Sequence, residues 1–226
     1  MIAQMVTGEK IADIGTDHGY IPVHLCLTGV CKKAVASDVR PGPLLCAQKT
    51  IEKYQMQGCV TTHLYDGIDD EKCQDVDVII IAGMGGEAIS AILAKSALVK
   101  KDGICLVLQP MTAQEELRVY LRENGFSIIQ ERLCREGRKI YVCFLVCPGE
   151  TALKDPIYNI VGESLLQEGN ELAGEYITQK IAPRKKRLQG LLKSRDLVEE
   201  EAVLALKAEV TRLEELYEEV EKRWQK

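Results

Sequence analysis

Residues 10–20, Lys10-Ile11-Ala12-Asp13-Ile14-Gly15-Thr16-Asp17-His18-Gly19-Tyr20, constrain the fold more than any other stretch. A short apolar run ends in an acid. Glycines follow two and six residues after that acid, and an apolar run with helical spacing begins at Tyr20. The pattern predicts strand, tight turn and helix. Glycine takes backbone angles that a Cβ disfavours, and it lets a ligand approach the main chain closely.

The alternation repeats downstream. Ala34–Asp38 reads as a second buried strand ending in an acid. Pro41 opens a helix to about Met56, with Gly58 as its cap. Val60–Leu64 is a third strand, followed by Tyr65-Asp66-Gly67. Val76–Ala82, centred on Val78-Ile79-Ile80-Ile81, predicts a strand buried on both faces, and Gly83-Met84-Gly85-Gly86 ends it. A helix to about Leu98 and a strand over Ile104–Leu108 follow. After Gln109-Pro110-Met111, Thr112 with Glu115 predicts a capping box for a helix ending at Asn124-Gly125.

Phe126–Cys134 and Ile140–Cys147 then break the alternation. The five residues Arg135–Lys139 between them leave no room for a helix, so the two form an antiparallel hairpin. A parallel sheet ending this way is unlike a plain dinucleotide dehydrogenase domain and matches the sheet of Rossmann-like class I methyltransferases. Beyond Pro148-Gly149-Glu150 the pattern is helical. One helix spans Pro156 to about Gln167, a second reaches about Arg195 with a bend at Pro183, and a third runs from about Val198 to Trp224. Leu206, Val210, Leu213, Tyr217, Val220 and Trp224 alternate four and three apart, which is a heptad seam. The expectation is an α/β domain over 1–149 and a helical hairpin of coiled-coil type over 150–226.

At 226 residues the chain suits one medium domain plus an appendage, and its net charge of −5 restricts any nucleic-acid surface to a local patch. No apolar run reaches the length of a membrane span and no leader-like segment opens the chain, which points to the cytoplasm. Ile2–Val6 reads as the tail of a helix. The nine cysteines form no Cys-x-x-Cys pair, so buried reduced thiols are expected rather than a metal site or disulfides.

Several residues bear chemistry. In Asp13-x-Gly15-x-Asp17-x-Gly19 an acid stands where the nucleotide loop often carries a middle glycine. Asp17 would repel a pyrophosphate but tolerates an ammonium and a sulfonium, which favours S-adenosylmethionine over NAD. Asp38 is placed to accept from ribose hydroxyls, or to cap the helix at Pro41. Asp66 could accept from an adenine amino group, or simply make an Asp-Gly turn. Gly83, Met84, Gly85, Gln109 and Pro110 end neighbouring strands and reach one crevice, where a flat base could lie against bare backbone. His18 is a candidate base or a loop hydrogen-bonder, while His24 and His63 read as structural. Lys180, Arg184, Lys185, Lys186, Arg187, Lys193 and Arg195 form a dense basic stretch with no acid within it, suited to phosphate. Arg138, with Arg135 and Lys139 beside it in the hairpin turn, makes a smaller patch.

Asp13-Ile14-Gly15-Thr16-Asp17-His18-Gly19-Tyr20-Ile21-Pro22, Ala36-Ser37-Asp38-Val39, Ile81-Ala82-Gly83-Met84-Gly85-Gly86 and Leu108-Gln109-Pro110 together resemble the bacterial tRNA (adenine(22)-N1)-methyltransferase family. The resemblance covers nearly the whole chain. It implies a Rossmann-like methyltransferase domain, a C-terminal coiled-coil region, S-adenosylmethionine as donor and tRNA as substrate. Family members carry a longer basic N-terminal helix, whereas this chain opens at the tail of one. Adenine N1 is unprotonated at neutral pH and can attack a sulfonium methyl directly, so catalysis would be mainly alignment, with local extrusion of the base. The competing readings are a NAD-dependent Rossmann oxidoreductase and a non-catalytic RNA-binding protein. The heptad seam could close within one chain or between two.

Overall fold

The computed structural model describes residues 1–68, 73–150, 152–167, 169–193 and 200–224. Seven strands alternate with helices: β1 (Lys10–Ile14), α1 (Tyr20–Leu27), β2 (Lys33–Asp38), α2 (Pro41–Lys53), β3 (Val60–Leu64), β4 (Val78–Gly85), α3 (Gly86–Ala94), β5 (Cys105–Thr112), α4 (Gln114–Glu123), β6 (Phe126–Glu136) and β7 (Lys139–Pro148). They form one sheet in the order β3-β2-β1-β4-β5-β7-β6. The first five strands pair in parallel. β7 pairs antiparallel with β5, and a two-residue turn at Gly137-Arg138 joins it to β6. This is the expected sheet with its terminal hairpin.

Apolar runs without alternation occupy the sheet centre. Ile79, Ile80 and Ile81 of β4 and Leu106, Val107 and Leu108 of β5 have no exposed surface, as strands covered on both faces require. Helices α1 and α2 pack on the β1–β3 half, and α3 and α4 on β4 and β5.

One charged pair lies within this core. The Arg118 guanidinium of α4 donates to Glu131 of β6 (Nη2···Oε2 2.7 Å) and stacks 4.8 Å above the Phe144 ring of β7, with both charged side chains 2% exposed. Nothing in the sequence singled out this pair.

Turns and termini depart from the sequence expectation more than strands do. Helix α2 ends at Lys53, and its left-handed residue is Gln55 (φ 57°) rather than Gly58. Thr112 does not cap α4. It remains in β5, and the N-cap is Ala113 (φ 53°) with no side-chain cap, so the Thr-x-x-Glu pattern is not a capping box here. Strand β4 continues through Gly83-Met84-Gly85 because β5 keeps pairing with it across a bulge at Met84. Helix α3 stops at Ala94, and Leu98–Lys100 make a separate 3-10 turn. Residues Ile2–Gln4 also make a 3-10 turn. Cys105 and Cys147, opposite each other on β5 and β7, form a disulfide, contrary to the expectation of reduced thiols throughout. The register sets their Cα atoms 4.7 Å apart, a cross-strand neighbourhood that cysteine spacing along the chain does not disclose.

The chain divides into two compact units, Met1–Arg132 with Tyr141–Thr151, and Leu133–Ile140 with Ala152–Lys226. In the second unit the expected single helix over 156–167 is two short ones, α5 (Tyr158–Val161) and α6 (Glu163–Gln167), parted by Gly162 at φ 74°. Helix α7 (Ala173–Leu191) runs unbroken through Pro183, and α8 spans Glu200–Trp224. Contacts of Gly174 with Glu221 and of Arg184 with Glu209 show that α7 and α8 pack antiparallel. The buried face of α8 is Leu206, Val210, Leu213, Leu216 and Val220, while Tyr217 of the expected seam is half-buried beside Gly174.

Candidate active site

Strand order reverses between β1 and β4, whose two chain neighbours β2 and β5 lie on opposite sides. In an open parallel sheet the loops part at such a point and leave a crevice beyond the carboxyl ends of the strands. A cleft of about 680 Å³ opens there. Of the expected cofactor residues, Asp13, Gly15, Asp17, Asp38, Asp66 and Gly83 line it. Of the expected catalytic residues, His18, Gly83, Met84 and Gln109 do.

The loop after β1 is held by its backbone. Gly15 and Thr16 N–H groups both donate to the Ser37 carbonyl, at 2.8 and 2.9 Å, tying the loop to the end of β2. This requires φ 73° at Gly15, where a residue with a Cβ is strained. The methyl of Met84 lies 2.0 Å from where a Gly15 Cβ would stand, so Met84 reaches across from β4 over the loop. Asp17 has φ 50°. Aspartate is among the few non-glycine residues that tolerate this region, which gives a backbone reason for the acid in place of the middle glycine. Its carboxylate lies 3.6 Å from His18 Nε2, and the His18 ring stacks on Tyr20 with centroids 5.3 Å apart.

Asp13 is 2% exposed and accepts a 2.6 Å hydrogen bond from the Thr16 hydroxyl. Burial pushes its carboxyl up to about 6, the Thr16 bond opposes this, and the nearby Asp38 charge adds to it. Asp38 is also buried, and its Oδ1 accepts from Arg40 N–H at 2.9 Å. Arg40 is itself the N-cap of α2, so Asp38 stands two residues before the cap and does not fill it. Asp66 is exposed at the cleft edge between Tyr65 and Gly67.

On the β4 side, the bulge turns Gly83 to φ 78° and takes its N–H out of the regular ladder. Gln109 Oε1 accepts that N–H at 3.1 Å, and Gln109 Nε2 donates to the Pro110 carbonyl at 3.2 Å. The 8%-exposed amide thus locks the two strand ends together at the cleft. Gly19, Gly85 and Pro110 are not on the lining. Gly19 packs against Ala47 of α2, Gly85 precedes α3 beside Thr112, and Pro110 is buried in β5.

The lining also includes Thr16, Tyr20, Val39, Arg40 and Tyr65, which were not anticipated as site residues. Val39 was the most legible of them. An apolar residue straight after the strand-ending acid, it is 58% exposed in the folded chain.

In the second unit the basic stretch is partly engaged. Arg184 pairs with Glu209 at 3.1 Å, Lys185 with Glu214 at 2.5 Å, and the Lys180 ammonium lies 5.3 Å from the Tyr176 ring centroid. Lys186, Arg187 and Lys193 are exposed, with no ion pair among the described residues. Arg138 is exposed in the β6–β7 turn. Arg195 lies outside the described residues. Among those described, no cluster of His, Cys, Asp and Glu could hold a metal, and no helix is long and apolar enough to cross a membrane.

A methyltransferase-domain family matches residues 1–144. The chain is 31% identical over 184 residues to a Bacillus subtilis tRNA (adenine(22)-N(1))-methyltransferase, spanning 77% of this chain and 75% of that protein. The crystal structure of the B. subtilis m1A22 tRNA methyltransferase TrmK covers 96% of this chain and 95% of its own at 25% identity, with a TM-score of 0.81. Streptococcus pneumoniae Sp1610, solved in complex with S-adenosyl-L-methionine, covers 96% of both chains at 27% identity with the same TM-score of 0.81. With the sheet order, the strand-end cleft and these matches in agreement, the chain belongs to the tRNA (adenine(22)-N1)-methyltransferase family.

Proposed function

We propose that this protein transfers the methyl group of S-adenosyl-L-methionine to N1 of adenine 22 in tRNA. The observation that carries the reading is the carboxylate set of the cleft. Asp13, Asp17, Asp38 and Asp66 all line one strand-end crevice. Such a lining suits an ammonium, a sulfonium and ribose hydroxyls, and it is hostile to the pyrophosphate of NAD. Asp13 and Asp17 would hold the amino-acid end, Asp38 the ribose and Asp66 the adenine edge. When bound, the donor supplies an electrophilic methyl on a positively charged sulfur.

The remaining work falls to this chain. Adenine N1 has an available lone pair at neutral pH, so no base is needed to create the nucleophile. The residues must fix the base at in-line distance. The Gly83–Gln109 lock presents a rigid backbone edge, and Met84 supplies an apolar surface beside the loop. Asp17 and His18, 3.6 Å apart, can take up the proton that the product later sheds. Lys186, Arg187, Lys193 and Arg138 would contact tRNA phosphates. A cytoplasmic location accords with a tRNA substrate.

Binding tests the donor assignment directly. S-adenosylhomocysteine should raise the melting temperature, and NAD should not. Asp38→Ala should weaken S-adenosylhomocysteine by ~10-fold or more, the scale of hydrogen bonds to a charged group. Undiminished binding by that variant would remove Asp38 from the site.

A further inference from the structure

A cluster of sulfur stands apart from the cleft. Cys26 lies in the last turn of α1 and Cys31 just beyond the turn that follows, with their sulfurs 3.4 Å apart. The turn is fixed by its own hydrogen bonds. Gly29 N–H donates to the Cys26 carbonyl at 3.1 Å, and Val30 and Cys31 N–H groups donate to the Leu25 carbonyl at 2.9 and 3.2 Å. The turn therefore holds the two Cα positions close, within reach of a sulfur contact. Cys59, before β3, is the third sulfur in range, and Met5 and Met56 pack in the same cluster.

We propose that Cys26 and Cys31 form a site of reversible thiol oxidation, closing to a disulfide on exposure to a peroxide. The sulfurs need to approach by little more than 1 Å to reach the ~2.05 Å of a disulfide bond. Only five positions separate the residues, so the bond would constrain the unfolded chain little and would act as a reversible modification rather than a staple.

The two thiols differ in role. Cys26 is half-buried. The hydrogen bond from Cys31 lowers its thiol, burial opposes this, and the Lys33 ammonium adds to the lowering. Cys31 is 3% exposed, and its thiol is raised by the contact with Cys26 and by burial. Cys26 is thus the attacking thiolate and Cys31 the resolving thiol.

The Cys26 thiolate attacks one peroxide oxygen. The S–O bond forms, the O–O bond breaks, and the departing oxygen leaves as water after taking up a proton. Cys31 sulfur then attacks the Cys26 sulfenic acid. The S–S bond forms, the S–O bond breaks, and the Cys31 proton leaves with the hydroxyl as a second water. The protein loses two electrons and two protons, and the peroxide takes them up and is reduced to two waters. A dithiol reverses the change by exchange.

Trypsin releases both cysteines in one peptide, Ile11–Lys32. After brief hydrogen peroxide treatment of the full chain, mapping without reductant should find this peptide short of two hydrogens, with dithiothreitol restoring them. In Cys31→Ser, dimedone should trap a sulfenic acid at Cys26. In the untreated protein, iodoacetamide should label Cys26 ~10-fold faster than Cys31, the scale of a modest pKa difference plus exposure. The proposal is overturned if the peptide keeps both thiols while other cysteines oxidise, if Cys26 links to Cys59 instead, or if the sulfenic acid appears at Cys31.

Discussion

Asp13 lines the cleft at a cost in stability. It is buried beside a second acid, and its carboxyl is pushed up to about 6 from an ordinary 3.8. An acid with a raised folded-state pKa binds its proton more tightly in the folded chain. Below pH 4 both states are protonated and nothing is lost. Between about 4 and 6 the unfolded chain releases the proton first, and above 6 the folded chain carries a penalty of about 3 kcal/mol. Asp13→Asn keeps an acceptor for Thr16 and removes that penalty. Thermal melts should show it more stable than the parent at pH 7.5, by about 6–12 °C if the full penalty is removed, with the gain gone at pH 4. The same variant should bind S-adenosylhomocysteine more weakly, and the parent's affinity should tighten as pH rises through 6, because a bound cation favours the carboxylate.

That Asp13, Asp38 and the glycine loop meet at one cleft was legible in the sequence, because each ends or follows a parallel strand whose apolar run is plain. Met84's reach over Gly15 and the Gln109 lock on Gly83 were not. Both depend on a bulge that β5 imposes on β4, a pairing that local sequence does not encode.

Among the elements, strands followed apolar runs faithfully because burial on both faces leaves little choice. Caps and turns did not. Thr112 carries a capping signature yet stays in β5, since the ladder to β4 extends to Gly85↔Thr112 and outweighs a helix cap. The Arg118–Glu131 pair was equally illegible, for a helix arginine and a strand glutamate ordinarily face water. Removing Glu131 takes the counter-charge from a guanidinium held in the core. Glu131→Ala should therefore cost about 3–5 kcal/mol in urea denaturation. A loss under 1 kcal/mol, the scale of a surface pair, would contradict the burial.

In the helical unit, α7 uses Arg184 and Lys185 to bind α8, which leaves fewer cations for a ligand than the sequence suggested. Replacing Lys186, Arg187 and Lys193 together by Ala should weaken tRNA binding ~10-fold at moderate salt. It should also flatten the salt dependence of log affinity by about two to three, at ~0.7–0.9 per phosphate contact. S-adenosylhomocysteine affinity should not change. An unaltered salt slope would assign those residues to solvent.

For the whole molecule, charge is partitioned in a way the net value of −5 conceals. The first unit concentrates carboxylates in a cleft suited to a cationic donor, and the second keeps exposed cations on a helix otherwise engaged with an acidic neighbour. Fold and donor class were readable from the strand–loop–helix pattern and the terminal hairpin. The grouping of the hairpin tip, Leu133–Ile140, with the helices was not, because it arises from contacts such as Arg135 with Glu175 forty residues on.

Transfer to one ring nitrogen of one base is open to direct measurement. Two unmodified tRNA transcripts that differ only at position 22, adenine against guanine, should be incubated with labelled S-adenosylmethionine and digested to nucleosides. The first transcript should yield 1-methyladenosine and the second no label. Equal labelling of both, or label recovered as N6-methyladenosine, would contradict that transfer.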